Sequence, residues 1–288
     1  METRIALISD VHGNITALRA VIEDAQRQGA TEFWLLGDTF MPGPAGRDLF
    51  DLLDGVNTTV WMLGNWDEVG MITALRGELA LNDATDVYLT RLSMFVHANI
   101  GDAGVARIAS WSPALTRQVG GVTVSISHNL PTKNWGGALM PYEPQANFDA
   151  IFDDNPADVA VVGHTHIPML RSSEPGRLII NPGSAGQTIS FNGPGTPRPP
   201  RVQYAMLVIS DQGIDQIDFR AVPFDIDAEL AHANRVGLPY VDLYEEMLRL
   251  GTSFTHDLAL LDDINHQRGY QDDVHEFLDS APSDNAPP

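Results

Sequence analysis

Five short stretches of this sequence carry side chains able to hold a cation. They are Asp10 and His12 in Ser9-Asp10-Val11-His12-Gly13-Asn14, Asp38 after Gly37, Asn65 and Asp67 in Gly64-Asn65-Trp66-Asp67, His128, and the pair His164 and His166 flanking Thr165. Taken singly, each has an ordinary explanation. An Asp or Asn after a strand turns the chain or caps a helix, and a lone His128 is satisfied by a loop hydrogen bond. Two imidazoles one residue apart after a buried strand are harder to place unless something binds them. Together the five stretches supply enough nitrogen and oxygen donors for two metal ions, and paired ions make water nucleophilic at neutral pH. Because the chain has no cysteine, it holds neither a disulfide nor a thiolate metal site.

Each of these stretches follows an apolar run that reads as a strand. Ile5–Ile8 precedes the first, Phe33–Leu36 the second, Val60–Leu63 the third, Val122–Ile126 the fourth and Val159–Val162 the fifth. Ligands at strand ends are where α/β proteins build sites. Between the first two runs, Ile15, Leu18, Val21, Ile22 and Ala25 recur at helical spacing, and Leu49, Phe50, Leu52 and Leu53 mark a second helix. Strand, helix, strand implies a parallel pair.

From Glu68 to Arg117 the pattern is amphipathic and helical, an insertion placed to act as a lid. Leu178–Ile180 is a further strand, and Tyr204–Ile209 with Ile214–Val222 reads as a hairpin about Asp211-Gln212-Gly213. Asp227–Leu250 carries one or two helices, Gly193–Pro200 a loop, and Ser280–Pro288 a disordered tail. The expected architecture is α/β, a four-layer αββα sandwich of two mixed sheets flanked by helices. Its helical insertion spans about 68–117, within a domain at 1–250 that is followed by an extension at 251–288.

With 17 Lys and Arg against 38 Asp and Glu, the formal charge is −21. Such a chain repels nucleic acid, so a phosphate ligand needs local positive charge, for which bound metal is the obvious source. No run approaches the roughly 20 apolar residues of a membrane span, and the start lacks a signal peptide's pattern. The reading is a cytoplasmic protein with no membrane partner and no stable nucleic-acid partner, its oligomeric state open and a homodimer included.

The ordered series Asp10-x-His12-Gly13-Asn14, Gly37-Asp38, Gly64-Asn65, His128, Gly163-His164-Thr165-His166 and Asn181-Pro182-Gly183-Ser184 resembles the calcineurin-like metallophosphoesterases. The stretch Leu35–Asp38 with Met41-Pro42-Gly43, and Ser127–Pro131 with Lys133–Gly136, is similar to the small bacterial phosphodiesterase branch and to a bacterial diadenosine tetraphosphate hydrolase. The resemblance implies a first metal on Asp10, His12, Asp38 and His166, and a second on Asp38, Asn65, His128 and His164, with Asp38 bridging. It implies hydrolysis of phosphodiester or phosphoanhydride bonds in small nucleotides by a hydroxide shared between the metals, with Asp38, Asn65 and Asp67 at the chemistry. A broad or cyclic-nucleotide phosphodiesterase, or a metal-binding scaffold of the same fold without catalysis, are the rivals.

A sulfur-free donor set suits manganese or iron, with zinc as the alternative, better than calcium or magnesium. Two departures from the family stand out. Trp66 occupies the place where better-known members carry His, and an indole cannot protonate a leaving alkoxide. Asn129 stands where many relatives have Gly. Asp67 either orients a neighbour or caps a helix, and His97 reads as a surface or packing residue. Asn65, Trp66, Lys133, Asn134 and Trp135 are the candidate substrate contacts, with a plain surface loop as the alternative for the last three.

Overall fold

The computed structural model describes residues 2–174, 176–188 and 201–280. The loop expected at Gly193–Pro200 and most of the tail expected to be disordered lie outside the described residues. The chain opens with β1 (Thr3–Ile8), α1 (Ile15–Arg27), β2 (Glu32–Leu35), α2 (Arg47–Asp54) and β3 (Thr58–Trp61). β1, β2 and β3 are parallel neighbours, as a right-handed strand, helix, strand connection requires. The later hairpin of β9 (Arg201–Ser210) and β10 (Gly213–Pro223) adds antiparallel to β1. The order in this first sheet is β10-β9-β1-β2-β3.

A π-helix at Trp66–Ile72, α3 (Thr73–Leu75) and α4 (Ala84–Ala109) lead to the second sheet. It contains β4 (Ala114–Val119), β5 (Val122–Ser127), β6 (Val159–Val161), β7 (Met169–Ser173) and β8 (Arg177–Asn181), in the order β4-β5-β6-β8-β7. β5, β6 and β8 run parallel, with β4 and β7 antiparallel at the edges. α5 (Gln145–Asp149) lies between β5 and β6, and the chain ends in α6 (Ile226–Val236), α7 (Val241–Leu250), α8 (Leu258–Arg268) and α9 (Tyr270–Ser280).

Alternation along the strands builds the layers. Ile5 and Leu7 of β1 pack with Val124, Ile126, Val161 and Ile180 between the two sheets. Ala6 and Ile8 face the other way, against Leu18 and Val21 of α1. The outer face of the second sheet, Ala160 and Ile179, buries Phe148 and Phe152. The result is the four-layer αββα sandwich, with two mixed five-stranded sheets flanked by helices. Because side chains alternate with period 2, each central strand must be apolar on both faces. That is why the strands are legible as unbroken apolar runs.

The helical insertion is shorter than the sequence pattern indicates. Helices end at Ala109, and Ala114–Val119 is strand β4, paired antiparallel with β5 from Ala114↔Ser127 to Val119↔Val122. Six residues of mixed polarity on a sheet edge carry too few alternations to be told from a helical period. β7 also escapes sequence reading, because it is an edge strand with Leu170 half exposed. Among the described residues no helix is long and apolar enough to cross a membrane.

Candidate metal centre

The carboxyl ends of β1, β2, β3, β5 and β6 converge where the two sheets meet, and the loops that leave them are stitched together through their backbones. Asp10, His12 and Gly13 donate their amides to the carbonyls of Gly37, Asp38 and Thr39 at 3.0, 2.9 and 2.8 Å, and Gly163 donates to the His128 carbonyl at 2.8 Å. Close approach demands glycine at two points. A Cβ on Gly64 would lie 2.1 Å from Asp38 Oδ1, and one on Gly163 would lie 1.9 Å from Ser9 Oγ.

Asp10 (φ 55°), His12 (49°), Asp38 (54°), His164 (66°) and His166 (58°) all sit in the left-handed backbone region. Each such non-glycine residue costs about 1–3 kcal/mol, and the strain persists only where the surroundings over-determine it. The fold therefore spends stability to aim these side chains.

Two donor clusters result. Asp10, His12 and His166 form one, and Asp38, His128 and His164 the other, with the donor atoms of each within 4.8 Å of one another. Three of the imidazoles are fixed by carbonyls behind them: His12 Nδ1 on Met41, His128 Nδ1 on Leu36 at 2.8 Å, and His166 Nδ1 on Gln187. A hydrogen bond of this kind sets the tautomer and leaves the Nε2 lone pair pointing inward.

Those lone pairs meet each other. His12 Nε2 and His166 Nε2 are 3.1 Å apart, and His128 Nε2 and His164 Nδ1 stand 3.0 and 2.8 Å from Asn65 Oδ1. At these distances each pair either shares a proton or, with both lone pairs free, turns them toward one cation. The carboxylates are arranged to match. Asp10 Oδ2 accepts the His164 amide at 3.0 Å, while its buried Oδ1 has no hydrogen-bond partner among the described residues and lies 3.3 Å from His166 Nε2. Asp38 Oδ1 accepts the Trp66 amide at 2.8 Å. Its Oδ2 is left between His12 Nε2 at 3.7 Å and His128 Nε2 at 3.3 Å, one nitrogen from each cluster. The residues present fit a metal pair.

The proton affinities show the same competition. Burial works against the charged form of Asp10, but His166, His128 and His12 around it hold its carboxyl well below the usual range. Asp38 is lowered in the same way, chiefly by His128 against burial. His128 is pushed up to about 10 because Asp38 outweighs its burial. His166 rises likewise through Asp10. Burial takes His12 down to about 4 and, with the neighbouring His128, lowers His164. Proton affinity thus rises at His128 and His166 and falls at His12 and His164, and a metal bound there would compete with protons.

The remaining predicted residues take distinct places. Asp67 is buried and accepts the amides of Asp38, Thr39 and Gly64 at 2.9, 3.0 and 3.0 Å, so it braces the turn that carries Asp38. It is not an N-cap, and burial beside Asp38 raises its carboxyl to about 7. Trp66 opens the π-helix, a rare element found mostly at functional sites, and its ring stands edge-on to His12 at 5.5 Å. Asn134 is buried and donates to Glu68 Oε2 at 2.7 Å, tying its loop to the π-helix. Lys133 Nζ lies 3.5 Å over the half-exposed Trp135 ring. Asn129 donates to the Gly136 carbonyl at 3.0 Å, closing the same loop. His97 pairs with Asp102 on α4 and belongs to neither cluster.

Supporting contacts come from the turn after β8. Asn181 Nδ2 donates to the Gly163 carbonyl and to Thr165 Oγ1 at 2.6 and 3.0 Å, and Ser184 Oγ donates to the Asp10 carbonyl at 2.8 Å. Sequence reasoning missed the carbonyls of Leu36, Met41 and Gln187, since any residue type supplies a carbonyl. It also missed Glu229, far along the chain, whose Oε2 accepts the Thr16 amide at 3.0 Å at the start of α1.

Comparison with known proteins agrees with this geometry. Residues 3–211 match the calcineurin-like phosphoesterase superfamily domain. The chain is similar to an uncharacterised protein of Methanocaldococcus jannaschii, with 28% identity over 203 residues, covering 65% of this chain and 78% of that one. Among solved structures it is similar to a metallophosphoesterase from Sphaerobacter thermophilus, at 26% identity and a TM-score of 0.62, covering 87% of this chain and 99% of that one. A hypothetical protein from Pyrococcus horikoshii shares the fold at 17% identity and a TM-score of 0.68, with the same coverage.

Proposed function

The chain belongs to the calcineurin-like phosphoesterase superfamily, and from that premise we propose that it is a dinuclear metal-dependent phosphoesterase acting on small nucleotides. It hydrolyses phosphodiester or phosphoanhydride bonds, with a diadenosine polyphosphate as the first substrate to try. Family membership implies divalent metal ions and a small phosphorylated substrate. The donor set of imidazole, carboxylate and amide oxygens favours manganese or iron, then zinc. Asp10, His12, Asp38 and His166 hold one ion, and Asp38, Asn65, His128 and His164 the other. The observation that carries this reading is the position of Asp38 Oδ2, set 3.7 Å from His12 Nε2 and 3.3 Å from His128 Nε2, one nitrogen of each cluster.

Bound there, two cations supply activation of water for in-line attack on phosphorus and neutralise charge growing on the phosphoryl oxygens. The protein's own contribution is positioning. Asp67 fixes the Asp38 turn, the three carbonyls fix the imidazole tautomers, and Asn65 Oδ1 converges with His128 Nε2 and His164 Nδ1 as a further donor to the second ion. Trp66 cannot donate a proton to a leaving alkoxide, which favours substrates whose leaving group departs as a stable anion, as in an anhydride. Lys133 and Trp135 offer a cation and a ring to the substrate, while Asn134 secures their loop. Residues 1–250 form the metallophosphoesterase domain, and 251–288 extend it.

Titration of metal-depleted protein with Mn, Fe, Co, Ni and Zn against a chromogenic phosphodiester tests the proposal. Turnover that rises with metal and saturates near two equivalents supports it. No turnover with any of them would leave the rival reading, a scaffold of the same fold that binds metal without catalysis.

A further inference from the structure

A buried hydroxyl of the helical insertion reaches the loops that hold the metal centre. Ser93 of α4 is fully buried, and its Oγ lies 2.7 Å from the Leu89 carbonyl, 2.9 Å from the Gly70 carbonyl and 3.3 Å from Met41 Sδ. The first partner is the carbonyl four residues back, which any serine inside a helix can use. The other two are distant in the chain, one in the π-helix and one in the loop after β2. A hydroxyl has one proton to give. Whichever acceptor takes it, Ser93 stays in contact with both segments.

Both segments lead to His12. Met41 is buried, and its carbonyl fixes His12 Nδ1. Trp66, at the start of the π-helix, sets its ring edge-on to His12 at 5.5 Å and gives its amide to Asp38 Oδ1 at 2.8 Å. Gly70 backs onto the two, since a Cβ there would lie 3.3 Å from Met41 Cε and 3.7 Å from Trp66 Cβ. Ser93 thus touches Met41 directly and reaches Trp66 through Gly70. Another face of α4 is held as well. Ala84, Tyr88 and Arg91 recur at helical spacing: the Ala84 carbonyl accepts from Asn265 Nδ2 at 3.2 Å, Tyr88 stands edge-on to Tyr240 at 4.7 Å, and Arg91 pairs with Asp273 at 3.2 Å. These partners lie beyond the residues that match the family. A helix held on two faces is a brace, where the sequence pattern alone suggests a lid.

We infer that Ser93 is a positioning residue of the metal centre: its hydroxyl, carried on a helix that the C-terminal segment holds still, keeps the Met41 carbonyl on His12 Nδ1. His12 Nε2 then stays where it stands, 3.1 Å from His166 Nε2 and 3.7 Å from Asp38 Oδ2. The inference rests on the metal-dependent reading and extends it outward by one contact, since Ser93 touches no candidate ligand. Packing alone would be served as well by alanine, which is the better helix former. What the hydroxyl adds is its reach to Gly70 and Met41. Partners behind a metal-binding imidazole fix its orientation and set how well it binds.

Two measurements on the full-length protein test it, with Thr90→Ala as the control. Thr90 is equally buried on α4, but its hydroxyl bonds only the Asp86 carbonyl of the same helix, at 2.8 Å. In imidazole nitrogen spectra of the metal-depleted wild type, the His12 Nδ1 proton should be slow to exchange with solvent. Ser93→Ala should speed that exchange about fivefold or more, and Thr90→Ala should leave it alone. In calorimetric manganese titrations, Ser93→Ala should weaken about fivefold the step that survives Asn65→Ala, and Thr90→Ala should not. Ser93→Cys, which keeps a weaker donor in a similar shape, should fall between serine and alanine, and it takes over both readings where the Ala variant fails to fold. An unchanged His12 proton or an unchanged manganese step overturns the inference, as does an equal effect of Thr90→Ala. Wild-type protein that binds no manganese removes the metal reading instead, and the proton exchange then still decides whether Ser93 positions His12.

Discussion

Asp38 stands where both clusters meet, and the consequences of removing it differ from those of removing any other ligand. Asp38→Ala should take metal content from about two ions per chain toward none and reduce phosphodiester turnover about a thousandfold or more, read by elemental analysis and a rate assay. Retention of near-wild-type turnover after the same metal depletion would contradict a shared ligand. Asn65 contacts only His128 and His164 among the candidate ligands. Asn65→Ala should therefore weaken one step of a calorimetric manganese titration about tenfold or more and leave the other in place. His97→Ala should move neither step, because His97 pairs with Asp102 on the face of α4. Asp10, His12, Asp38, His128, His164 and His166 stood out in the sequence only as a set at successive strand ends, and the structure gathers them into two candidate clusters. The role of Asp67 was not legible, because a carboxylate two residues beyond a candidate ligand reads equally as a helix cap or as orienting a neighbour until its three amide partners are known.

At the scale of elements, the segment beyond the family match reaches back to the centre through one buried carboxylate. Glu229 of α6 accepts the Thr16 amide in the first turn of α1 and the Tyr244 hydroxyl of α7, each at 3.0 Å. It thereby ties two C-terminal helices to the helix that follows His12. Burial raises its pKa above the ordinary 4.5, against the opposing hydrogen bonds from Thr16 and Tyr244. A carboxyl with a raised folded pKa binds its proton more tightly in the native state. Its contribution to stability is thus fullest below the unfolded value and declines as pH rises from there through the folded one. Urea denaturation of metal-depleted protein across that range should show this decline in the wild type and a flatter profile in Glu229→Gln; identical slopes would refute the assignment. The central strands were legible because burial on both faces makes them continuously apolar. β4 and β7 were not, because edge strands with one exposed face leave too little pattern.

For the whole molecule, the centre is a place where the fold is held in tension. Five candidate ligand residues have left-handed backbones, two imidazole nitrogens stand 3.1 Å apart, and the loops come from both sheets. A metal held there would bind these donors only in the folded state. Saturation at about a hundred times the dissociation constant contributes about 2.7 kcal/mol per site. Chelation should accordingly lower the melting temperature by about 5–10 °C, and manganese should restore it. A melting temperature indifferent to chelator would argue that the clusters hold no ion. The same result reads out the acidic balance of the chain: with a formal charge of −21, adding cations relieves self-repulsion as well as filling the centre. Magnesium at equal concentration separates the two effects, since it prefers an all-oxygen shell.

What the sequence determined by itself was the set of donors and the strands that deliver them. Residue type fixes what an atom can bind, and period-2 burial fixes which runs form the core. What only the tertiary structure decided was direction: which oxygen of Asp38 faces both clusters, which nitrogen of each histidine is held by a carbonyl, and that α7 and Phe254 stand beside Trp66. Those properties arise from backbone carbonyls and amides contributed by residues distant in the chain. Every residue type carries the same carbonyl, so no residue type announces where it will be used.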